Sequence, residues 1–160
     1  MERRKDKLQK SIRRLLIFFI VSLLVSGITA FPIETELKVA LQLLKSVQID
    51  NAFSRWIELV YQGVQETNEK YSFISYGTDW LAFAHLVIAI LFVGPLRDPV
   101  KNIWIIEFGI IACVAIFPLA FIAGSARGIP FFWRLIDCSF GAFGGLILLI
   151  TYFKIRKLEV

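Results

Sequence analysis

The sequence predicts an all-α integral membrane protein with four transmembrane helices, both termini inside, and two amphipathic helices in the outer segment between the first and second spans. Three observations carry this expectation. Hydrophobic residues make up 57% of the 160 and charged residues 19%, whereas a soluble domain is about a quarter charged. Mean hydropathy is correspondingly high, at +0.67. Long apolar runs recur four times, and Lys and Arg gather in the N-terminus, the turn at Pro95 and the tail while acids outnumber them in residues 32–77.

Residues 1–14 form a basic cytoplasmic terminus carrying Arg3, Arg4, Lys5, Lys7, Lys10, Arg13 and Arg14. Leu8, Ile12 and Leu15 also fit an interfacial helix there, held to anionic lipid by the basic side chains. Residues 15–31 form the first span, at the lower length limit for crossing a hydrocarbon layer of roughly 30 Å. Pro32 ends it. A cleavable signal peptide is the alternative, with Ala30 or Gly27 at the cut, although Ile28 is bulky for such a site. Either outcome puts the following segment outside.

Residues 32–77 form the extracytoplasmic segment. Six acids (Glu34, Glu36, Asp50, Glu58, Glu66, Glu69) face four bases (Lys38, Lys45, Arg55, Lys70). Apolar residues recur at helical spacing, first as Leu37, Ala40, Leu41, Leu44 and Val47, then as Phe53, Trp56, Ile57, Val60, Tyr61 and Val64. Asp50 or Asn51 caps the second helix. The two helices either dock on the membrane surface through Trp56 and Tyr61 or pack on each other as a lid.

Residues 78–153 form a three-helix transmembrane unit. Its first helix runs from Trp80 to Val93, with Thr78 as N-cap and Asp79 favouring the helix dipole from the first turn. A turn with Pro95, Arg97, Pro99 and Lys101 follows, and Asp98 with Pro99 reads as an N-cap and first helical position launching a span from Ile103 to Ala123. The last span begins at Pro130 and runs to Phe153, and residues 154–160 form a cytoplasmic tail with Lys154, Arg156 and Lys157.

Ionisable groups within a bilayer cost about 2.5 to 3.5 kcal/mol each on insertion scales, which makes them functional candidates. His85, Glu107, Arg134 and Asp137 are such groups. Arg134, Asp137, Cys138, Gly141 and Gly144 or Gly145 share one helical stripe, and the charged pair at three-residue spacing is able to bridge. Counted from the outer ends at roughly 1.5 Å per residue, His85 lies about 8 Å deep and Asp137 about 10 Å deep. These depths suggest a polar intramembrane cluster of His85, Arg134 and Asp137, suited to proton response or to an anion held by Arg134 with His85 or Trp133 closing the pocket. The plainer reading is an ion pair beside a histidine bonded to its neighbours. Glu107 reaches the inner interface or pairs with Lys154 or Arg156, and Asp79 is a further candidate. Pro118 removes a backbone donor and leaves the carbonyl of Val114 available.

With one histidine, no bis-histidine haem forms within the chain, and no zinc spacing, Walker loop, GxSxG, HExxH or dinucleotide fingerprint occurs. The expectation is no catalytic residue, no metal and no cofactor. Cys113 and Cys138 lie inside apolar runs and read as small core residues. The net charge of +5 follows membrane topology and does not indicate nucleic acid. The partners expected are the lipid bilayer and a homo-oligomer or larger membrane complex. The function expected is a nonenzymatic interaction or accessory subunit. The alternatives are a small proton-coupled or anion carrier acting as an oligomer, and then a membrane enzyme or cofactor protein. A small basic-inside protein of this kind fits a bacterial cytoplasmic membrane.

Overall fold

The computed structural model describes residues 2–158, and every regular element among them is helical. In order these are α1 (Glu2–Ala30), α2 (Ile33–Ser46), α3 (Ala52–Leu91), α4 (Val93–Arg97), α5 (Ile103–Pro118), a π-helical turn (Leu119–Ala123), α6 (Gly124–Ala126) and α7 (Phe131–Arg156). Four helical stretches, Arg3–Ala30, Ala52–Arg97, Ile103–Ala126 and Phe131–Arg156, are long and apolar enough to cross a membrane. Their large side chains turn outward, Ile122, Phe140 and Phe143 among the most exposed. A soluble bundle buries such residues, so this surface suits lipid.

The chain divides into two compact units, Met1–Ser22 with Ala89–Val160, and Leu23–Ile88. In the second unit α2 opens with Glu34 and Glu36 and closes with Lys45, charges that complement its dipole. Gln48 then takes a left-handed conformation, φ 56°, while the Ile49 amide donates to Leu44 O, a helix ending that glycine ordinarily provides. Asn51 caps α3 by accepting from the amides of Phe53 and Ser54, and Ser54 Oγ accepts from the Asn51 amide in return.

Helix α3 corrects the expected boundary at Thr78. The helix is already under way there, and its interruption falls at Tyr71, whose φ −144° and ψ 53° are not helical. Asn68 accounts for the position of the break. Its amide donates to Glu34 Oε2 at 2.6 Å and its carbonyl accepts from the Ser75 hydroxyl across the kink. With the backbone continuous past Gly77, Thr78 has no orphan amides to cap.

Helix α1 runs unbroken from Glu2 to Ala30, so the basic residues and the apolar run that follows them share one helix. Lys, Arg, Gln and Leu are good helix formers, and neither Pro nor Gly interrupts the chain before Gly27. The turn after α4 brings a second correction: Asp98 Oδ1 accepts from the Lys101 amide and closes a turn, while α5 begins only at Ile103 after Asn102. Asn102 holds that turn by donating from Nδ2 to Gly94 O and Asp98 O.

Helices α5 and α7 make the most extensive contact between elements. A Cβ on Gly141 would stand 2.7 Å from Cys113 O, and one on Gly109 would meet Leu148 and Phe92 at 2.6 and 2.7 Å. At Gly141 the neighbour is backbone, and an approach this close requires glycine. Phe92, Ile106, Leu148, Thr151 and Ile155 complete the buried core with Ile12 and Leu16 of α1, and both thiols are buried and free. Lys154 donates to Ser11 Oγ at 2.5 Å, and α7 continues to Arg156. Met1, Glu159 and Val160 lie outside the described residues, so the expected tail over 154–160 is described only as far as Leu158.

Candidate functional site

In the first unit, Pro118 ends the regular part of α5 and lacks the amide that would have bonded Val114 O. The π turn over Leu119–Ala123 follows at once, as befits a ladder already interrupted. The chain then closes on Gly128, left-handed at φ 70°, with the Ile129 amide donating to Gly124 O, and Pro130 starts α7.

This geometry places Ser125 opposite the first turns of α7. Arg134 donates from Nη1 to Ser125 Oγ at 2.7 Å, and its guanidinium lies 5.5 Å from the Phe131 ring centroid. The Arg134 stem covers Gly124, where a Cβ would come within 2.8 Å of Arg134 Cδ. Arg134 Nε is buried and makes no hydrogen bond among the described residues. Arginine here fastens the α6 connection to α7, one turn above the expected ion-pair partner.

Asp137 therefore does not bridge to Arg134. Among the described residues the ion pairs are Lys45 with Glu58 and Arg55 with Asp50, and Asp137 makes no hydrogen bond. Its half-buried carboxylate lines a cavity of about 270 Å³ walled by Ile116, Leu119, Ala120 and Ala123, with Arg127 at the same opening. The π turn supplies Leu119, Ala120 and Ala123 to that wall. Trp133 is half-buried in the first turn of α7, one position from Arg134. Glu107 is exposed on α5, and no ion pair among the described residues involves it. The expected pairing with Lys154 is replaced by the bond from Lys154 to Ser11.

The second unit holds His85 and Asp79. His85 Nδ1 lies 2.8 Å from Leu81 O, within reach of a bond to its own helix. Its Cβ and the Ala82 carbonyl press on Gly27 of α1, at 3.1 and 3.0 Å from where a glycine Cβ would be. The small residues at Gly27 and Ala82 thus make a close helix crossing, and His85 belongs to it. The residues of the expected cluster divide between the units, His85 in one, Arg134 and Asp137 in the other.

Asp79 lines a separate cavity of about 310 Å³ with Phe31, Tyr76, Trp80 and Phe83. Tyr76 and Trp80 meet edge to face at 6.1 Å and 78°, and Trp80 and Phe83 at 6.0 Å and 88°. Sequence reasoning singled out Asp79 but not this aromatic wall. The spacing was visible, since positions 76, 80 and 83 share a helical face; the contribution of Phe31 from the end of α1 was not. Ser125 was missed for a related reason, because only the fold of the connection brings it to Arg134. Among the described residues no three His, Cys, Asp or Glu side chains gather as a metal site would require. Against this geometry, no protein-family model, curated protein or solved structure matches the chain.

Proposed function

We propose that this chain is a nonenzymatic multi-pass membrane protein of the bacterial cytoplasmic membrane that works through helix contacts, as an accessory subunit or by self-association. Both termini lie inside, as the bases flanking the spans favour. The outer segment comprises α2 and the first half of α3 as amphipathic helices, with Leu41 and Ile57 on their apolar sides; both residues are buried.

Asp137 carries the reading. Its carboxylate sits in a predominantly apolar cavity on a span-length helix, without hydrogen bond or ion pair among the described residues. An intramembrane carboxylate in that condition is expensive, and a neighbouring helix that donates to it removes the cost. Arg134 with Ser125, and Thr151 with Ile147 O, are already engaged in packing the chain, whereas Arg127 of the same cavity makes no side-chain hydrogen bond or ion pair among the described residues. His85 serves the crossing with Gly27 in the same manner.

The test is purification in a mild detergent followed by native mass spectrometry. A stable complex, with a second protein or a second copy, is expected from the wild type and is lost in Asp137→Asn. A clean monomer from wild type overturns the reading.

One observation favours a second reading, a proton-coupled or anion carrier acting as an oligomer. The π turn borders the Asp137 cavity, and such turns frequently mark functional sites. This reading requires pH-dependent flux in liposomes. Flux that persists unaltered in Asp137→Asn removes Asp137 from any path.

A further inference from the structure

The cavity at Asp79 has a different chemistry from that at Asp137, and it stands independently of the helix-contact reading. Four aromatic side chains and one carboxylate line it. The negative face of an aromatic ring attracts a cation held within about 6 Å of its centroid. Successive rings set nearly perpendicular, as Tyr76, Trp80 and Phe83 are, form a corner that offers π surface from more than one direction. A carboxylate at the same corner supplies a full countercharge.

Two further facts give the site direction. Asp79 makes no hydrogen bond or ion pair among the described residues, so its charge is not consumed within the chain. The volume, about 310 Å³, is at the small end of ligand sites, which begin near 300 Å³. A metal ion is a poor fit, because one carboxylate and one phenol offer it too few oxygens. An aromatic belt at a membrane interface accounts for exposed Trp and Tyr, but not for a half-buried acid set among four exposed rings with no hydrogen bond or ion pair among the described residues.

We propose that Asp79, Trp80, Tyr76, Phe83 and Phe31 form a binding site for an alkylated ammonium group. The rings flank the methyl-bearing cation in an open depression and the Asp79 carboxylate balances its charge. The same ammonium chemistry is offered by a choline lipid headgroup and by a free quaternary amine.

The experiment uses the full chain in an uncharged detergent, with Trp56, Trp104 and Trp133 replaced by Phe so that Trp80 alone fluoresces. Tetramethylammonium and choline are titrated against 3,3-dimethylbutanol, the neutral isostere of choline. Saturable changes are expected with the two cations and not with the alcohol. Asp79→Asn and, separately, Phe83→Leu weaken cation binding about five- to thirtyfold, the leucine keeping an apolar wall without a π face. In nanodiscs, a choline response present in phosphatidylglycerol but abolished in phosphatidylcholine identifies the lipid headgroup as the occupant. An equal response in both identifies a free amine. Absence of a cation response in detergent and in phosphatidylglycerol discs overturns the proposal, and so does equal binding of the neutral isostere or unchanged affinity in both variants.

Discussion

Gly141 of α7 faces the carbonyl oxygen of Cys113 on α5 with no room between them: a Cβ at position 141 would stand 2.7 Å from that oxygen. The neighbour is backbone and cannot swing aside. Gly141→Ala is therefore expected to destabilise the first unit by about 1 to 3 kcal/mol, the usual penalty for overpacking. Gly63 of α3 has nothing within 4 Å of the same point, and Gly63→Ala should gain about 0.5 to 1 kcal/mol from helix propensity alone. Thermal unfolding in detergent, followed by circular dichroism, distinguishes the two signs.

Gln48 holds a left-handed backbone at the end of α2. An L side chain there costs roughly 1 kcal/mol that glycine does not. Gln48→Gly is expected to raise stability by about that amount and leave the Asn51 cap untouched. An unchanged or lowered midpoint in the same unfolding assay contradicts this account of the turn.

Arg134 and Ser125 are predicted to act as a unit. Ser125→Ala removes the acceptor of a charged hydrogen bond, a loss of about 1.5 kcal/mol or more. A double-mutant cycle with Arg134→Met should show coupling, whereas a cycle pairing Arg134→Met with Asp137→Asn should be nearly additive. Strong coupling in the second cycle and none in the first would restore the ion pair expected from spacing.

Orientation is open to direct measurement. Cys113 and Cys138 are buried, so an impermeant maleimide reads introduced cysteines. Gly63→Cys should label from outside intact cells and Arg97→Cys only after the membrane is opened. The reverse pattern inverts the topology.

The four long apolar helices were legible because extended apolar runs with few charges leave few alternatives to a helix. Their ends were less so. Thr78 and Asp98 have side chains suited to capping, yet caps are needed only where the ladder stops, and it stops at Tyr71 and at Asn102 for reasons that lie elsewhere in the chain. Asn68 reaches Glu34 across 34 positions. Arg134 and Asp137 drew notice together because they share a helical stripe, but three-residue spacing only permits a pair. It says nothing of a serine nine residues earlier that competes for the guanidinium. The aromatic wall around Asp79 was half visible, as a periodicity on α3, and half hidden in the return of α1.

The kink at Tyr71 yields a final prediction. Spin labels at Gly63→Cys and Gly77→Cys, both open positions, bracket the break, and a straight helix would set their backbones about 21 Å apart. A narrow, shorter distance is expected for the wild type and a broadened one for Asn68→Ala. An identical distribution in the two means that Asn68 does not hold the bend.

The same amide group that steadies the joint also grips Glu34, so the joint carries information. Glu34 sits at the outset of α2, and whatever pulls it away also loosens the hold on Ser75 a full turn beyond Tyr71. Helix α3 is then two rods on a pin: a displacement of α2 at Glu34 becomes a change of angle at Tyr71.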